Sequence, residues 1–304
     1  MTNLNRFHWL YGIREYFNLK SQTKTIDSNC YLNKKNIMDM IIESCLHKNS
    51  WRLRDLIVDY KHLLDEETIN VFMMSHINSD FLTDINVMKV VRNLVNDPFI
   101  NNLNEWIIET EIIDLNDHLS VGQIQSKDVV LKYLSLIDLS DIKSIVIYGG
   151  WHATISYHIH QIIADKYLNT LPIYNLELDP VCVASSTKFG NIANISINAR
   201  LVDVTTDCSF DSNGNLVLPS NEVIESPLII NMSSEHIPST KWFDLIPHGE
   251  KVIIQTNDFT SHPDHVMCVN SLNEAKRTYR LGNVEFEHEL DTGIYTRFTL
   301  GGVK

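Results

Sequence analysis

The hydrophobic period of the chain changes near Lys143, and that change constrains the fold more than any other feature. From Ser144 onward, short continuous apolar runs alternate with helix-length stretches. SIVIY (144–148) is followed by WHATISYHIHQIIADKY (151–167), LPIYNLELD (171–179) by PVCVASSTKF (180–189), and ISINARLVD (195–203), SPLIINM (226–232) and EKVIIQT (250–256) come after. A short unbroken apolar run predicts a strand buried on both faces, which is the situation of a parallel sheet covered by helices. The tail breaks this rhythm. NVEFEHEL (283–290) and IYTRFTLG (294–301), joined by Asp291, Thr292 and Gly293, predict an antiparallel hairpin. A second hairpin is expected over 207–218 around Asn213-Gly214. The fold class is therefore α/β, with a mostly parallel sheet ending in a hairpin.

Upstream of the change the period is helical. NIMDMIIESCL (36–46), SWRLRDLIVDYKHLL (50–64), EETINVFMMSHI (66–77), DINVMKVVRNLV (84–95) and NEWIIETEII (104–113) repeat apolar residues at three and four positions. No glycine occurs between Ile13 and Val121, which favours packed helices over a sheet with tight turns. No fixed repeat period is visible, so a solenoid is not indicated. The chain of 304 residues is thus expected to divide into an all-helical N-terminal region, 1–142, and a strand–helix region, 143–304. The helical region would act as a lid or shape a pocket.

Charge narrows the partners. Lys and Arg number 25 against 38 Asp and Glu, a net of −13, and the acids are spread over both halves. Such a surface repels phosphate at long range, which disfavours duplex DNA and points to small molecules or proteins. The cysteines Cys30, Cys45, Cys182, Cys208 and Cys268 are widely spaced and form no CxxC pair. A disulfide framework is not expected, and a reducing, cytoplasmic setting is. The N-terminus lacks an export signal pattern, and no stretch of apolar residues is long enough to span a membrane.

In an open α/β sheet, ligands sit beyond the carboxyl ends of the strands where strand order reverses. The first strand ends in Tyr148-Gly149-Gly150-Trp151, whose glycines let the backbone approach a ligand. The second ends in Glu177-Leu178-Asp179-Pro180. A carboxylate there can accept both hydroxyl hydrogens of a ribose, and Pro180 can open the next helix.

The run VIYGGWHA, LELDPVCVA, ARLVDV and LIINMSSEHI, closed by a hairpin, resembles class I S-adenosylmethionine-dependent methyltransferases. The resemblance covers roughly 143–302 and implies a Rossmann-like seven-stranded sheet with S-adenosylmethionine as cofactor. It also implies roles. Tyr148, Gly149, Gly150 and Trp151 would lie beside the methionine part, Glu177 with Asp179 would hold the ribose, and Asp203 would contact the adenine amine. The segment after the fourth parallel strand would reach the reacting methyl group, which nominates Asn231, Glu235 and His236 as catalytic, with Ser233 and Ser234 beside them. The glycine loop departs from the family's acidic-x-Gly-x-Gly-x-Gly. Neither the Asn/Asp-Pro-Pro-Tyr/Phe signature of base N-methylation nor the Pro-Cys nucleophile of cytosine methylation is present. With SVGQIQSK upstream and QTND late in the chain, the arrangement is most similar to methyltransferase-like proteins of bacteriophages. The host cytoplasm is the corresponding location. An alternative is a non-catalytic Rossmann-like structural or binding protein of a phage particle.

Other residues carry two readings each. Glu235 and His236 either take the proton of a methyl acceptor or cap and pack under the next helix. Gln123, Ser126 and Lys127 either fold over the pocket or, with Ser126 as cap, begin a helix through KDVVLKYLSLI. His262 and His265 predict a loop over the site or a surface pair; no metal ligand is assigned, although a metal-hydrolase reading would join them with Glu235 and His236. His152, His158 and His160 are placed on the helix after the glycines, with 158 and 160 on different faces. Gln255, Thr256 and Asn257 either bind substrate or end their strand.

Overall fold

The computed structural model describes residues 98–110, 121–167 and 171–304. The helices expected over 36–46, 50–64, 66–77 and 84–95 lie outside the described residues. The chain forms two compact units, one comprising Gln125–Lys304 and the other Asn5–Ile124. The sheet unit therefore takes in a helical segment that precedes the change of period.

Within the unit Asn5–Ile124, α1 spans Pro98–Thr110 and buries Phe99, Leu103, Trp106 and Ile107 along one face. It begins ahead of the expected Asn104. Pro98 is the reason: in the first turn its missing N–H costs nothing and its fixed φ suits a helix start.

The remaining elements run α2 Val121–Leu136, β1 Ser144–Tyr148, α3 Ile155–Tyr167, β2 Ile173–Glu177, α4 Pro180–Ala193, β3 Ile197–Leu201, β4 Ser209–Phe210, β5 Leu216–Val217, β6 Val223–Ile224, β7 Pro227–Asn231, a 3-10 turn Ser234–His236, α5 Lys241–Leu245, β8 Lys251–Asn257, α6 Leu272–Thr278, β9 Asn283–Asp291 and β10 Thr296–Val303. Two expectations are corrected here. Ser126 is not a cap, because α2 already starts at Val121 and Ser126 is buried within it. His152 precedes α3, because Trp151 and Ala153 take left-handed φ values of 53° that no helix accommodates.

Seven strands form one sheet in the order β3-β2-β1-β7-β8-β10-β9. The first five are parallel, and β10 and β9 add on antiparallel. This is the expected Rossmann-like, mostly parallel seven-stranded sheet ending in a hairpin. β4, β5 and β6 make a separate antiparallel sheet; the 207–218 hairpin is there, and β6 extends it.

Burial explains the order. Every residue of β1 and β7 is buried, so these central strands are covered on both faces. On one face Val146, Tyr148, Ile229, Ile254 and Phe298 share a core with Trp242 and Phe243 of α5 and Ala275 of α6. On the other, Gln255 Nε2 donates to the Ser126 carbonyl of α2 at 2.9 Å, and Asn175 Nδ2 donates to Ser186 of α4 at 3.2 Å. Gly301 is required there, since a Cβ would overlap the Tyr133 ring. β9 is the exposed edge. No helix among the described residues is long and apolar enough to cross a membrane, and Cys182, Cys208 and Cys268 are unbridged.

Candidate functional site

Parallel pairing puts the carboxyl ends of β1, β2, β3, β7 and β8 on one edge of the sheet, with Tyr148 opposite both Leu176 and Asn231. The chain leaves β1 toward β2 on one side, while β7 and β8 fill the other. Strand order reverses between β1 and β7, and a crevice at that point is where an open α/β sheet takes its ligand.

The loop after β1 sits at this point and is held from both sides. Gly149 N donates to the Leu176 carbonyl at 2.9 Å, and Trp151 N donates to Glu177 Oε2 at 2.8 Å. Asn175 Nδ2 donates to the Trp151 carbonyl at 3.0 Å, and the Ser233 hydroxyl donates to the Gly149 carbonyl at 3.0 Å. Gly149 is left-handed at φ 58°, and Trp151 and Ala153 share that conformation despite their side chains. A bulky residue held left-handed costs roughly 1–2 kcal/mol, and such strain persists where surrounding contacts over-determine the backbone. Here four hydrogen bonds from β2 and the segment after β7 do so.

Gly150 has a further constraint. A Cβ there would overlap the Asn175 carboxamide and approach Ile147 Cγ2 to 2.7 Å. Gly150→Ala is therefore expected to lower stability by roughly 1–3 kcal/mol, read as a shift of the urea midpoint. An unshifted midpoint would mean that the Asn175 clamp on Trp151 is dispensable.

The carboxylates occupy distinct settings. Glu177 is half-buried, and its Oε1 accepts from its neighbour Leu178 N at 2.9 Å while Oε2 takes Trp151 N. Asp179 is exposed and caps α4 by accepting from Val181 N at 2.8 Å, with Pro180 in the first turn. Asp203 follows β3, and its Oδ1 accepts from the Thr205 hydroxyl at 2.6 Å and Thr205 N at 2.8 Å. The Thr205 hydroxyl, ahead of the other bonds, holds the Asp203 carboxyl below the ordinary range. Asp179→Ala should cost about 1 kcal/mol through the lost cap, whereas Asp179→Asn keeps it. Thermal unfolding reads the difference: the Asn variant should match the parent, and an Ala variant as stable as the parent would mean that the cap is dispensable.

The Tyr148 side chain points away from the strand end. Strand alternation turns its ring into the core, where it meets Trp242 edge-on at 5.9 Å and burial pushes its hydroxyl well above the ordinary range. Only its main chain remains at the strand end. Cys182 and Cys208 are likewise pushed up to about 12, by burial first and neighbouring carboxylates second, so neither offers a thiolate at neutral pH.

Beyond β7 the chain enters the 3-10 turn. Asn231 is fully buried; its Oδ1 accepts from Ser233 N at 3.0 Å, and its Nδ2 has no hydrogen-bond partner among the described residues. Glu235 is 1% exposed and neither caps a helix nor packs passively. Its Oε1 accepts from Asn257 Nδ2 at 2.7 Å and Arg297 Nη2 at 3.1 Å. His236 is exposed beside it. The segment carrying His262 and His265 folds back so that Val266 N and Met267 N donate to the Glu235 carbonyl at 2.8 and 3.0 Å. The His236 and His265 rings are 4.6 Å apart, and His262 lies 4.5 Å from His265. Burial, ahead of its neighbours' charges, holds His265 below the ordinary histidine range.

Of the remaining candidates, Ser126 and Lys127 are buried in α2. Gln255, Thr256 and Asn257 spend their side chains on internal bonds, to Thr299, to the Met267 carbonyl and to Glu235. His158 is buried and His160 half-buried, as their different faces require. Asn175 and Arg297 join these contacts from inside strands, where no motif marks them. Both carried a signal, since a polar residue inside an otherwise apolar strand must find a partner.

No protein-family model and no curated protein matches the chain. Solved structures do. Magnesium protoporphyrin IX methyltransferase from Synechocystis PCC 6803 with bound SAH is similar at 11% identity over 71% of this chain and 99% of that chain, with a TM-score of 0.45. The O-methyltransferase from Bacillus cereus in complex with SAH is similar at 16% identity over 72% and 97%, with a TM-score of 0.44. A SAM-dependent methyltransferase from Aquifex aeolicus gives 11%, 69%, 99% and 0.42.

Proposed function

We propose that the chain transfers a methyl group from S-adenosylmethionine to a small-molecule or protein acceptor. The observation that supports it is the loop Gly149–Trp151 at the reversal of strand order, with Gly149 and Trp151 left-handed and the Trp151 amide hydrogen-bonded to the acid that ends β2. The fit to the cofactor rests on chemistry left over at that point. The Asn231 Nδ2 is a buried donor with no partner among the described residues, and both Glu177 oxygens keep lone pairs beyond the N–H groups they accept.

In this reading the main chain of Tyr148, Gly149, Gly150 and Trp151 holds the methionine part. Glu177, with Asp179 beside it, accepts the ribose hydroxyls, and Asp203 receives the adenine amine. When bound, the cofactor supplies a methyl group on a sulfonium, electrophilic toward a lone pair placed in line with its C–S bond. Asn231, Glu235 and His236 form the acceptor side, where Asn231 Nδ2 offers a hydrogen-bond donor and Glu235 or His236 takes the proton that the acceptor loses. The net charge of −13 makes duplex DNA a poor acceptor.

Isothermal titration with S-adenosylmethionine and S-adenosylhomocysteine tests binding, and transfer of labelled methyl into lysate fractions tests turnover. Heat with both and a labelled product are expected. No heat with either and no label would replace this reading by a non-catalytic binding module.

A further inference from the structure

The geometry points to a divalent transition-metal site built from Glu235, His236 and His265, with three protein ligands and an open coordination position. One ligand atom from each lies within 4.8 Å of the other two. A four-coordinate ion needs them about 3.4 Å apart, given bonds near 2.1 Å, so binding draws the three atoms in by at most about 1.4 Å.

The hydrogen bonds around the three side chains choose which atoms are offered. Asn257 and Arg297 donate to Glu235 Oε1, which leaves Oε2, buried and without a hydrogen-bond partner among the described residues. A bare carboxylate oxygen in a buried setting is costly unless a cation or donor completes it. His236 Nδ1 lies 3.1 Å from the Asp264 carbonyl, and His265 Nδ1 lies 3.0 Å from the Phe259 carbonyl. A carbonyl only accepts, so both Nδ1 atoms carry a proton, and in the neutral imidazole it is Nε2 that presents the lone pair. Metal-binding histidines are oriented in this way, with the second ring nitrogen donating to a backbone oxygen. His262 has the opposite arrangement. Its Nδ1 accepts from Asp264 N at 3.3 Å, so Nε2 carries its proton, and His262 stands beside the site as a donor and not as a ligand.

The residues meet through main-chain structure. Glu235 and His236 lie on the 3-10 turn after β7, and His265 on the segment after β8, yet the Val266 and Met267 amides clamp that segment to the Glu235 carbonyl. Asn257, the last residue of β8, ties the carboxylate to the sheet. Two imidazoles and one carboxylate suit Zn²⁺, Mn²⁺, Fe²⁺ or Co²⁺ and not Mg²⁺, which prefers oxygen. Three protein ligands leave a position for water or substrate.

This inference stands on its own residues and not on the methyltransferase reading. Where both hold, the ion lies two residues past Ser233, which binds the Gly149 carbonyl, and so on the acceptor side. Glu235 and His236 would then be ligands in place of proton acceptors, and an acceptor hydroxyl or water at the open position, its pKa lowered by the ion, would lose its proton to solvent.

The test uses full-length, tag-free protein stripped with a chelator and titrated separately with Zn²⁺, Co²⁺, Mn²⁺, anaerobic Fe²⁺ and Mg²⁺. One equivalent of at least one transition metal should be retained by elemental analysis, with no retention of Mg²⁺. Co²⁺ should give visible d–d absorption. His236→Ala and His265→Ala should each weaken binding at least tenfold with an unchanged far-UV circular dichroism spectrum, while His262→Ala binds as the parent does. His236 is exposed, so its variant reports on the site without disturbing the core. Failure of the parent protein to retain any transition metal, or retention that survives both His236→Ala and His265→Ala, overturns the site. S-adenosylhomocysteine titration of His236→Ala separates the two readings, since cofactor affinity should persist when metal affinity is lost.

Discussion

Glu177→Ala should lower affinity for S-adenosylmethionine and S-adenosylhomocysteine about a hundredfold or more. The carboxylate has two tasks in the proposed complex. It accepts the Trp151 amide that shapes the loop, and it accepts the ribose hydroxyls from beyond the end of β2. Hydrogen bonds to an ionised group contribute roughly 1.5–3 kcal/mol each, so losing two gives about 3 kcal/mol at the low end. Glu177→Gln sharpens the test. It keeps an oxygen for Trp151 but loses the charge, so the folded loop should survive while the cofactor still binds at least tenfold more weakly. Titration calorimetry on both variants, with thermal unfolding as the control for folding, reads the difference. Parent-like affinity in Glu177→Ala would remove the ribose role and with it the main support for a methyltransferase.

Arg297→Met should be the most damaging substitution for the fold itself. Arg297 is 2% exposed, bonds the Met232 carbonyl at 3.0 Å and pairs with Glu235 at 3.1 Å. Removing one member of a buried ion pair leaves the other charge stranded, at roughly 3–5 kcal/mol. In a unit of this size that corresponds to a fall in Tm of roughly 10 °C. The compensating variant Arg297→Met with Glu235→Met should recover most of the loss, because an apolar pair of similar volume carries no desolvation penalty. A double variant as unstable as the single would place the cost in lost packing and not in the stranded carboxylate.

The residues differ in how far they could be read without a structure. Ser144–Tyr148 and Pro227–Asn231 announce buried parallel strands because each is a short unbroken apolar run, and the all-buried pattern of both follows from that. Gly149, Gly150, Glu177 and Pro180 are legible because a strand end followed by glycine, acid or proline has few uses. The Asp179 cap is legible for the same reason. Ser126 misleads, since a serine before an apolar stretch looks like a helix start, whereas the helix already runs from Val121 and Ser126 is buried within it. His152 misleads in the same manner. Nothing local in Trp-His-Ala-Thr forbids a helix; four tertiary hydrogen bonds on the loop do.

By itself the sequence determined the strand–helix alternation, the covered parallel sheet and the closing hairpin. These follow from periodicity and from glycine, proline and carboxylate positions, which act over a few residues. Only the tertiary structure decided what Glu235 does. Its partners Asn257 and Arg297, and the histidine at 265, lie on other strands and loops, and no local pattern states that β7, β8 and β10 bring them to one point. A buried charge is defined by what surrounds it, and its surroundings come from strand order and register.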